Sequence, residues 1–291
     1  MNHRIVMLYS GQEDPLMTAA RQAANTTVDF VHIDDLLPFL DREEWPAWLS
    51  ANFPDEIGRR FRDAVVINRI FSTTGTRTED TLRGWGRDER WLHIRLDDLL
   101  RKAAWRAHDV GVRGVSHCLL PLNTQWFRVA QYDPTIATPA FSYAVGYEEP
   151  DLAGLADPMQ KSVWSLFDWK EEHHILPAER MRHRFFVEAP KGLPLFGHFY
   201  GESVHTTFPR DRADFSSDQV NRIAKACRIQ FQSDVGEFLS YVEGDGTLRF
   251  HAFSPYMLSA ATDTSFHDHV SAWLTSLATL KSLTQDATMA A

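Results

Sequence analysis

Asn68 and Arg69 directly follow the apolar run Ala64–Ile67, so an amide and a guanidinium sit at the end of a buried segment. A guanidinium there suits two-pronged recognition of a ligand carboxylate. It equally suits a structural ion pair, with Asp34 or Asp63 as partner. Five of the 13 histidines lie in two places that invite metal or proton chemistry. His173, His174 and His183 stand near Glu171 and Glu172, in a segment of mixed charge that reads either as a solvated face or as the cap of a groove for an acidic or amphipathic peptide. His267 and His269 would share a face on a strand and could bind zinc. The segment Thr262–Asp268, however, reads as a loop entering a helix, where side chains two apart diverge. Ser116-His117-Cys118 offers a nucleophile beside a base, but neighbours on a strand face opposite ways, which favours a plain buried strand. Ser72–Thr76 carries one glycine and signals anion binding weakly. Trp85, Trp91, Trp105 and Trp126 read as core or interface anchors rather than as a stacking platform.

The elements that must position these groups change character along the chain. Ile5–Tyr9, Val28–Ile33, Ala64–Ile67 and Val112–Leu120 are short apolar runs that read as buried strands. Asp14-Pro15 opens a helix through Leu16–Ala24, and Arg87–Ala107 reads as a longer one. Strand and helix in alternation predict a parallel sheet with Asp34, Asn68 and Arg69 at the ligand-binding ends of its strands. Asn123–Gly146 breaks that pattern, and the acidic stretch Glu148–Asp151 marks the domain boundary. Beyond it, Ser162–Trp169, Arg184–Glu188, Leu195–Tyr200 and Ser203–Phe208 read as strands. Ser216 and Gln219 have the spacing of a capping box ahead of a helix with an apolar face at Val220, Ile223, Ala224 and Cys227. Gly236–Val242 and Thr247–Phe253 flank Glu243-Gly244-Asp245-Gly246 and predict a hairpin. Val270, Trp273, Leu274, Leu277 and Leu280 form the stripe of a last helix.

The 291 residues and a 44% hydrophobic content fit a globular protein of one or two domains. A net charge of −9 disfavours phosphate backbones, so no nucleic-acid partner is expected. The two cysteines, Cys118 and Cys227, are too few for a disulfide scaffold or a cysteine-based zinc cluster and fit a reducing compartment. The sequence has neither an 18-residue apolar stretch nor a signal-peptide cleavage pattern, so the expectation is a cytoplasmic protein without membrane contact.

Read in order, four segments resemble the ATP-grasp superfamily, in particular its carboxylate–amine ligases that close peptide bonds. They are Val65-Val66-Ile67-Asn68-Arg69; Leu122-Asn123 with Arg128–Gln131 and Thr138-Pro139; Phe185–Glu188 with Gly197–Gly201; and the hairpin from Gly236 to Ser254. The resemblance implies a parallel-sheet pre-ATP-grasp-like α/β domain over 1–150, two ATP-grasp-like α+β lobes over 151–285 and a flexible tail over 286–291. It implies ATP and Mg²⁺ as cofactors, and a peptide or small-molecule carboxylate as partner, with a protein partner and homo-oligomerisation both compatible. It casts Arg128 and Lys161 as nucleotide-binding residues, Lys161 on phosphate, with Val187 and Glu188 at the adenine hinge. Asn68 and Arg69 would bind ligand.

The departures from the family bear on activity. Family members hold magnesium with a Glu on the first hairpin strand, then an acid and an Asn two residues apart on the next. Ser240, His251 and Phe253 fall at the aligned positions, and none is a good magnesium ligand. The alternatives are a shifted register with Glu237, Glu243 or Asp245 as ligands, a site rebuilt for other metal chemistry, or a silent site filled by Phe250, Phe253 and Tyr256. The sequence therefore favours a degenerate pseudo-ligase that binds a peptide, small molecule or partner. The alternative is an active ATP-dependent ligase working through an acyl phosphate. The missing ligands count against both ATP and Mg²⁺.

Overall fold

A computed structural model describes residues 3–11, 14–23, 26–41, 61, 64–70, 76–100, 105–106, 120–144, 148, 150–167, 184–208, 214–257, 259 and 265–279. The chain divides into two compact units. The first comprises Met1–Cys118, Ser233–Val235 and Tyr256–Ala291, and the second Leu119–Gln232 and Gly236–Pro255. The limits drawn from sequence, 1–150 and 151–285, divide the chain elsewhere. By contacts, the segment after 118 belongs with the second unit, and the C-terminal helix with the first.

The first unit is built on a parallel sheet. Strands β1 (Arg4–Tyr9), β2 (Val28–His32), β3 (Ala64–Arg69) and β4 (Trp105–Arg106) lie in the order β2-β1-β3-β4. β1 and β3 are buried along nearly their whole length, which is why they read as unbroken apolar runs rather than alternating ones. Helix α1 (Pro15–Gln22) starts as expected: Asp14 is its cap and its side chain accepts from the Met17 amide at 2.9 Å. Ile33 belongs to helix α2 (Ile33–Leu40), not to β2. The His32 ring caps that helix by accepting from the Asp34 amide at 3.1 Å. The helix expected over Arg87–Ala107 is shorter, α4 (Glu89–Leu100), with β4 at the far end of that span, and a separate helix, α3 (Arg77–Gly84), precedes it. Gly86, at φ +67°, breaks between them in a conformation that glycine adopts without strain. The expected strand Val112–Leu120 lies outside the described residues, apart from Leu120.

The second unit holds two antiparallel arrangements. α5 (Leu122–Tyr132) occupies the stretch that broke the sequence pattern. β5 (Phe141–Ala144), β6 (Pro158–Gln160) and β7 (Arg184–Glu188) form one sheet in the order β5-β7-β6. Residues 163–167 form turns rather than the strand expected over Ser162–Trp169, and Trp164 is exposed there. β8 (Leu193–Tyr200), β9 (Ser203–Thr207), β10 (Val235–Val242) and β11 (Leu248–Ser254) form the other sheet, in the order β11-β10-β8-β9. The predicted hairpin joins β10 to β11. Helix α6 (Ser217–Phe231) buries the expected face, Val220, Ile223, Ala224 and Cys227. Its capping box does not form: Ser216 makes no side-chain cap bond, and the Gln219 side chain accepts from the Leu248 amide at 2.8 Å. Burial raises the Cys227 thiol pKa well above its ordinary value.

Helix α7 (Phe266–Ala278) packs on α1 and β1 within the first unit, burying Val270, Trp273, Leu274 and Leu277. His267 and His269 lie on this helix. Among the described residues no group of three or more His, Cys, Asp or Glu could hold a metal ion. Nor is any described helix long and apolar enough to cross a membrane.

Candidate functional site

At the end of β3, Arg69 is fully buried and donates from Nε to Asp14 Oδ2 at 2.6 Å, with Nη2 on the same oxygen. Among the described residues the structural partner is Asp14, the α1 cap, rather than Asp34; Asp63 lies outside the described residues. Asp34 accepts instead from the Thr78 hydroxyl at 2.6 Å. Asn68 turns its side-chain oxygen back to the Ile70 amide at 3.0 Å, a local turn that closes the strand. One carboxylate thus caps α1 and neutralises Arg69, so these two candidate ligand residues are built into the scaffold of the first unit. Trp126 is buried, whereas Trp85 is 39% exposed, so the tryptophans do not share one anchoring role.

In the second unit the hairpin register decides which side chains meet. Glu237 pairs with Ser254, Phe238 with Phe253 and Leu239 with Ala252. The register then shifts, and Ser240 pairs with Phe250 and Tyr241 with Arg249. His251 is the extra residue of this bulge. Paired residues in a sheet share a face and successive residues alternate, so β10 and β11 have two chemically distinct sides.

One side faces α6 and is aromatic. Phe253 stacks on Phe231 of α6 at 4.6 Å between centroids and on Phe199 of β8 at 6.0 Å. A Cβ at Gly197 would stand 2.1 Å from the Phe238 ring, so only glycine leaves that ring room. Ser240 pairs with Phe250 on this side, and its buried hydroxyl has no hydrogen-bond partner among the described residues. The other side carries Glu237, Leu239, Tyr241, Arg249, Ala252 and Ser254. The His251 ring packs against Tyr241 here, at 4.6 Å, and His198 Nε2 of β8 lies 3.4 Å from Glu237 Oε2 with both side chains fully buried.

Ser240 and Phe253 consequently lie on the face opposite His251, and the three expected positions do not converge. The spacing rule places His251 and Phe253 together only on a regular strand, and the bulge removes that condition. Moving the pattern by one residue gives Leu239, Ala252 and Ser254, which do share a face. Of these, Leu239 and Ala252 offer no oxygen at all from their side chains. Glu237 is the one carboxylate of β10 and β11, and it meets His198. Magnesium needs several hard oxygen ligands in near-octahedral array, and the residues present do not fit it. Glu243 and Asp245 are not substitutes: Glu243 accepts from Arg249 Nε at 2.6 Å, and Asp245 accepts from the Thr247 amide at 2.9 Å.

The edge of β11 is closed by α5 and the loop after it. Trp126 Nε1 donates to the His251 carbonyl at 2.9 Å, and the Gln125 amide both donates to the Phe253 carbonyl and accepts from the Phe253 amide. Phe250 donates to the Ala137 carbonyl at 2.8 Å. These bonds satisfy backbone groups that an edge strand would otherwise expose.

The expected nucleotide residues are distributed as follows. Lys161 follows β6 directly and is 2% exposed, its amide bonded to the Phe185 carbonyl at 3.0 Å. Arg128 is exposed and donates to the Gln230 carbonyl near the end of α6, where a cation suits the helix dipole. Val187 is fully buried. Glu188 accepts from Lys191 Nζ at 2.8 Å, while its amide serves the Ala140 carbonyl and that of Ala189 the Asp157 carbonyl. Burial, aided by the Arg249 and Lys161 cations, holds the His251 pKa well below its ordinary value. Burial also raises that of Tyr241. That Glu237 and His251 share a face was not readable in sequence, because the bulge has no signature of its own; the buried His198–Glu237 pair had none either. His173, His174, His183, Glu171 and Glu172, with Ser72–Gly75 and Ser116–Cys118, fall outside the described residues.

No family model matches the chain, and no curated protein matches it. Solved structures do. An ATP-grasp ligase, PsnB, complexed with precursor peptide PsnA2 and AMPPNP superposes with a TM-score of 0.62 at 11% identity, covering 94% of this chain and 99% of that one. The macrocyclase MdnC bound with precursor peptide MdnA, from Microcystis aeruginosa MRC, gives 0.58 at 10% identity, over 94% and 98%. A RimK domain protein ATP-grasp from Sphaerobacter thermophilus DSM 20745 gives 0.54 at 12%, over 94% and 98%.

Proposed function

The chain has the ATP-grasp fold, and from that premise we propose that it is a non-ligating form of it, a protein that binds a peptide or small-molecule carboxylate without running magnesium-dependent phosphoryl transfer. The observation that carries this reading is the facing pair Leu239 and Ala252. Phosphoryl transfer from ATP is mostly positioning and charge neutralisation, and two aliphatic side chains supply neither. A peptide partner is in keeping with PsnB and MdnC, whose structures hold precursor peptides. A protein partner or self-association would extend the same role.

The second reading, an active ATP-dependent carboxylate–amine ligase, is favoured by one residue, the buried Lys161. In that reading Lys161 holds phosphate and Glu188 lines the adenine hinge. Calorimetry of the full chain with ATP, with and without Mg²⁺, separates the two. The non-ligating reading expects no magnesium-dependent heat, and micromolar binding that requires Mg²⁺ would overturn it. Rebuilding the ligands sharpens the test. The triple variant Leu239→Asp, Ala252→Glu, Ser254→Asn is expected to gain magnesium-dependent ATP binding, since all three share a face. The triple variant Ser240→Glu, His251→Asp, Phe253→Asn is expected to unfold instead.

A further inference from the structure

At the carboxyl end of β2 one imidazole faces more donors than it can serve. His32 Nδ1 lies 3.1 Å from the Asp34 amide in the first turn of α2, and Nε2 lies 3.3 Å from the Gly11 amide just beyond β1. A neutral imidazole accepts at one ring nitrogen and carries a proton on the other. Only one of the two amides can therefore have its bond at a time, and the tautomer chooses which. The shorter distance favours the α2 cap, which leaves the Gly11 amide facing a ring N–H. One ring proton thus couples the turn after β1 to the start of α2.

A second proton changes the balance. Imidazolium donates at both nitrogens and accepts at neither, so both amides lose their acceptor. Histidine is the side chain whose charge ordinarily changes between about pH 5 and 8, and the His32 side chain is 27% exposed, within reach of solvent protons. On β1 the Tyr9 ring stands edge-on to His32 at 4.9 Å between centroids. On α1 the Arg21 guanidinium lies over the Phe30 ring at 3.9 Å and 6.0 Å from the Tyr9 ring. Arg69 of β3, in register with Tyr9 on its far side, is neutralised by Asp14. The first turn of α2 carries Asp34 and Asp35, and Asp34 Oδ2 is 3.6 Å from His32 Nδ1. Among the described residues Asp34 is thus the carboxylate placed to receive a charged ring, and its Oδ1 already accepts from the Thr78 hydroxyl of α3 at 2.6 Å.

We propose that His32 is a proton-operated clasp at the carboxyl end of the parallel sheet: neutral, it ties down the turn after β1 or the start of α2, and protonated, it releases both amides and turns to the Asp34 carboxylate. The proton comes from solvent and returns to it. The clasp lies in the first unit and holds under either reading of the second unit's chemistry.

The test is a titration of the full, isotope-labelled chain by NMR from about pH 8 to about pH 5. The Gly11 and Asp34 amides and the Asp34 carboxyl carbon are expected to shift together, along the titration of the His32 ring nitrogens. Corrected for the intrinsic effect of pH, hydrogen exchange at both amides should quicken about five- to tenfold once the ring is charged. His32→Asn keeps a side chain that caps helices and does not titrate, so both amides should lose their pH dependence while the Asp34 amide keeps its cap. Should that variant fail to fold, the unaltered chain decides alone: two amides that follow the ring uphold the clasp. Amides that stay put while the ring takes its proton overturn it. A ring that stays neutral down to about pH 5 overturns it too. So does the same pH dependence surviving in His32→Asn.

Discussion

The two faces of the β10–β11 hairpin are made from the same two strands and share every backbone bond, yet they are different materials. The α6 side is a stack of rings, Phe231 on Phe253 on Phe199, with Gly197 keeping space for Phe238. The opposite side mixes Glu237, Tyr241, Arg249, His198 and His251 with the aliphatic Leu239 and Ala252. Aromatic stacking stabilises the fold and tolerates little change. Buried polar groups on the other side are costly unless they are partnered, as Glu237 is with His198 and Arg249 with Glu243. The comparison assigns ring packing to one face and buried polar contacts to the other.

The sharpest way to break that assignment is to cut a ring from the packed face. Phe253→Ala removes a fully buried side chain flanked by two stacked rings. The expected loss is about 4 kcal/mol of unfolding free energy, transfer plus cavity, read from urea denaturation. A loss below about 1 kcal/mol would mean that the ring is not part of a close-packed core, and the two faces would no longer differ.

Much of this fold was legible in sequence because hydrophobic period and turn chemistry are local signals. The unbroken apolar runs gave β1 and β3, and Glu243–Gly246 gave the hairpin with Gly246 at φ +82°. What was not legible depends on distant partners. Arg69 finds Asp14, and nothing in the spacing of 55 residues announces it. Gln219 abandons its helix cap for Leu248, because an unpaired strand amide is the more costly group to leave. That Ser240, His251 and Phe253 do not share a face was not legible either, because a bulge shifts every side chain beyond it to the other face.

A smaller effect sharpens the comparison at the strand edge. The Gln125 side chain donates to the Leu120 carbonyl at 2.8 Å and to the Phe253 carbonyl at 3.1 Å, and accepts from the Phe253 amide at 2.7 Å. Gln125→Leu keeps the volume and strands those backbone groups. The expected cost is about 2–3 kcal/mol by denaturation, with faster hydrogen exchange at the Phe253 amide. If exchange at Phe253 stays slow, the clamp is not what holds β11, and the faces are positioned by the hairpin alone.

The smallest effect belongs to the polar face and is a matter of pH. His251 is fully buried, and burial, with Arg249 and Lys161 nearby, lowers its pKa in the folded chain below its ordinary value near 6.5. Tyr241 packs on its ring at 4.6 Å and its own pKa is raised by burial, so it stays neutral and supplies no countercharge. The unfolded chain therefore binds a proton on His251 that the folded chain refuses. Where the unfolded state holds more protons, stability falls as pH falls. The contribution is fully present above about pH 6.5 and is lost below it, at about 1.4 kcal/mol per pH unit, until the folded pKa is reached. His251→Gln removes the titration and keeps a polar group of similar reach. Urea denaturation of both proteins from neutral pH to pH 5 should show the slope in the unaltered chain and a shallower one in the variant. Parallel slopes would mean that His251 takes its proton while folded, so that the polar face is open enough to water to hold a charge, and its contrast with the ring-packed face would dissolve.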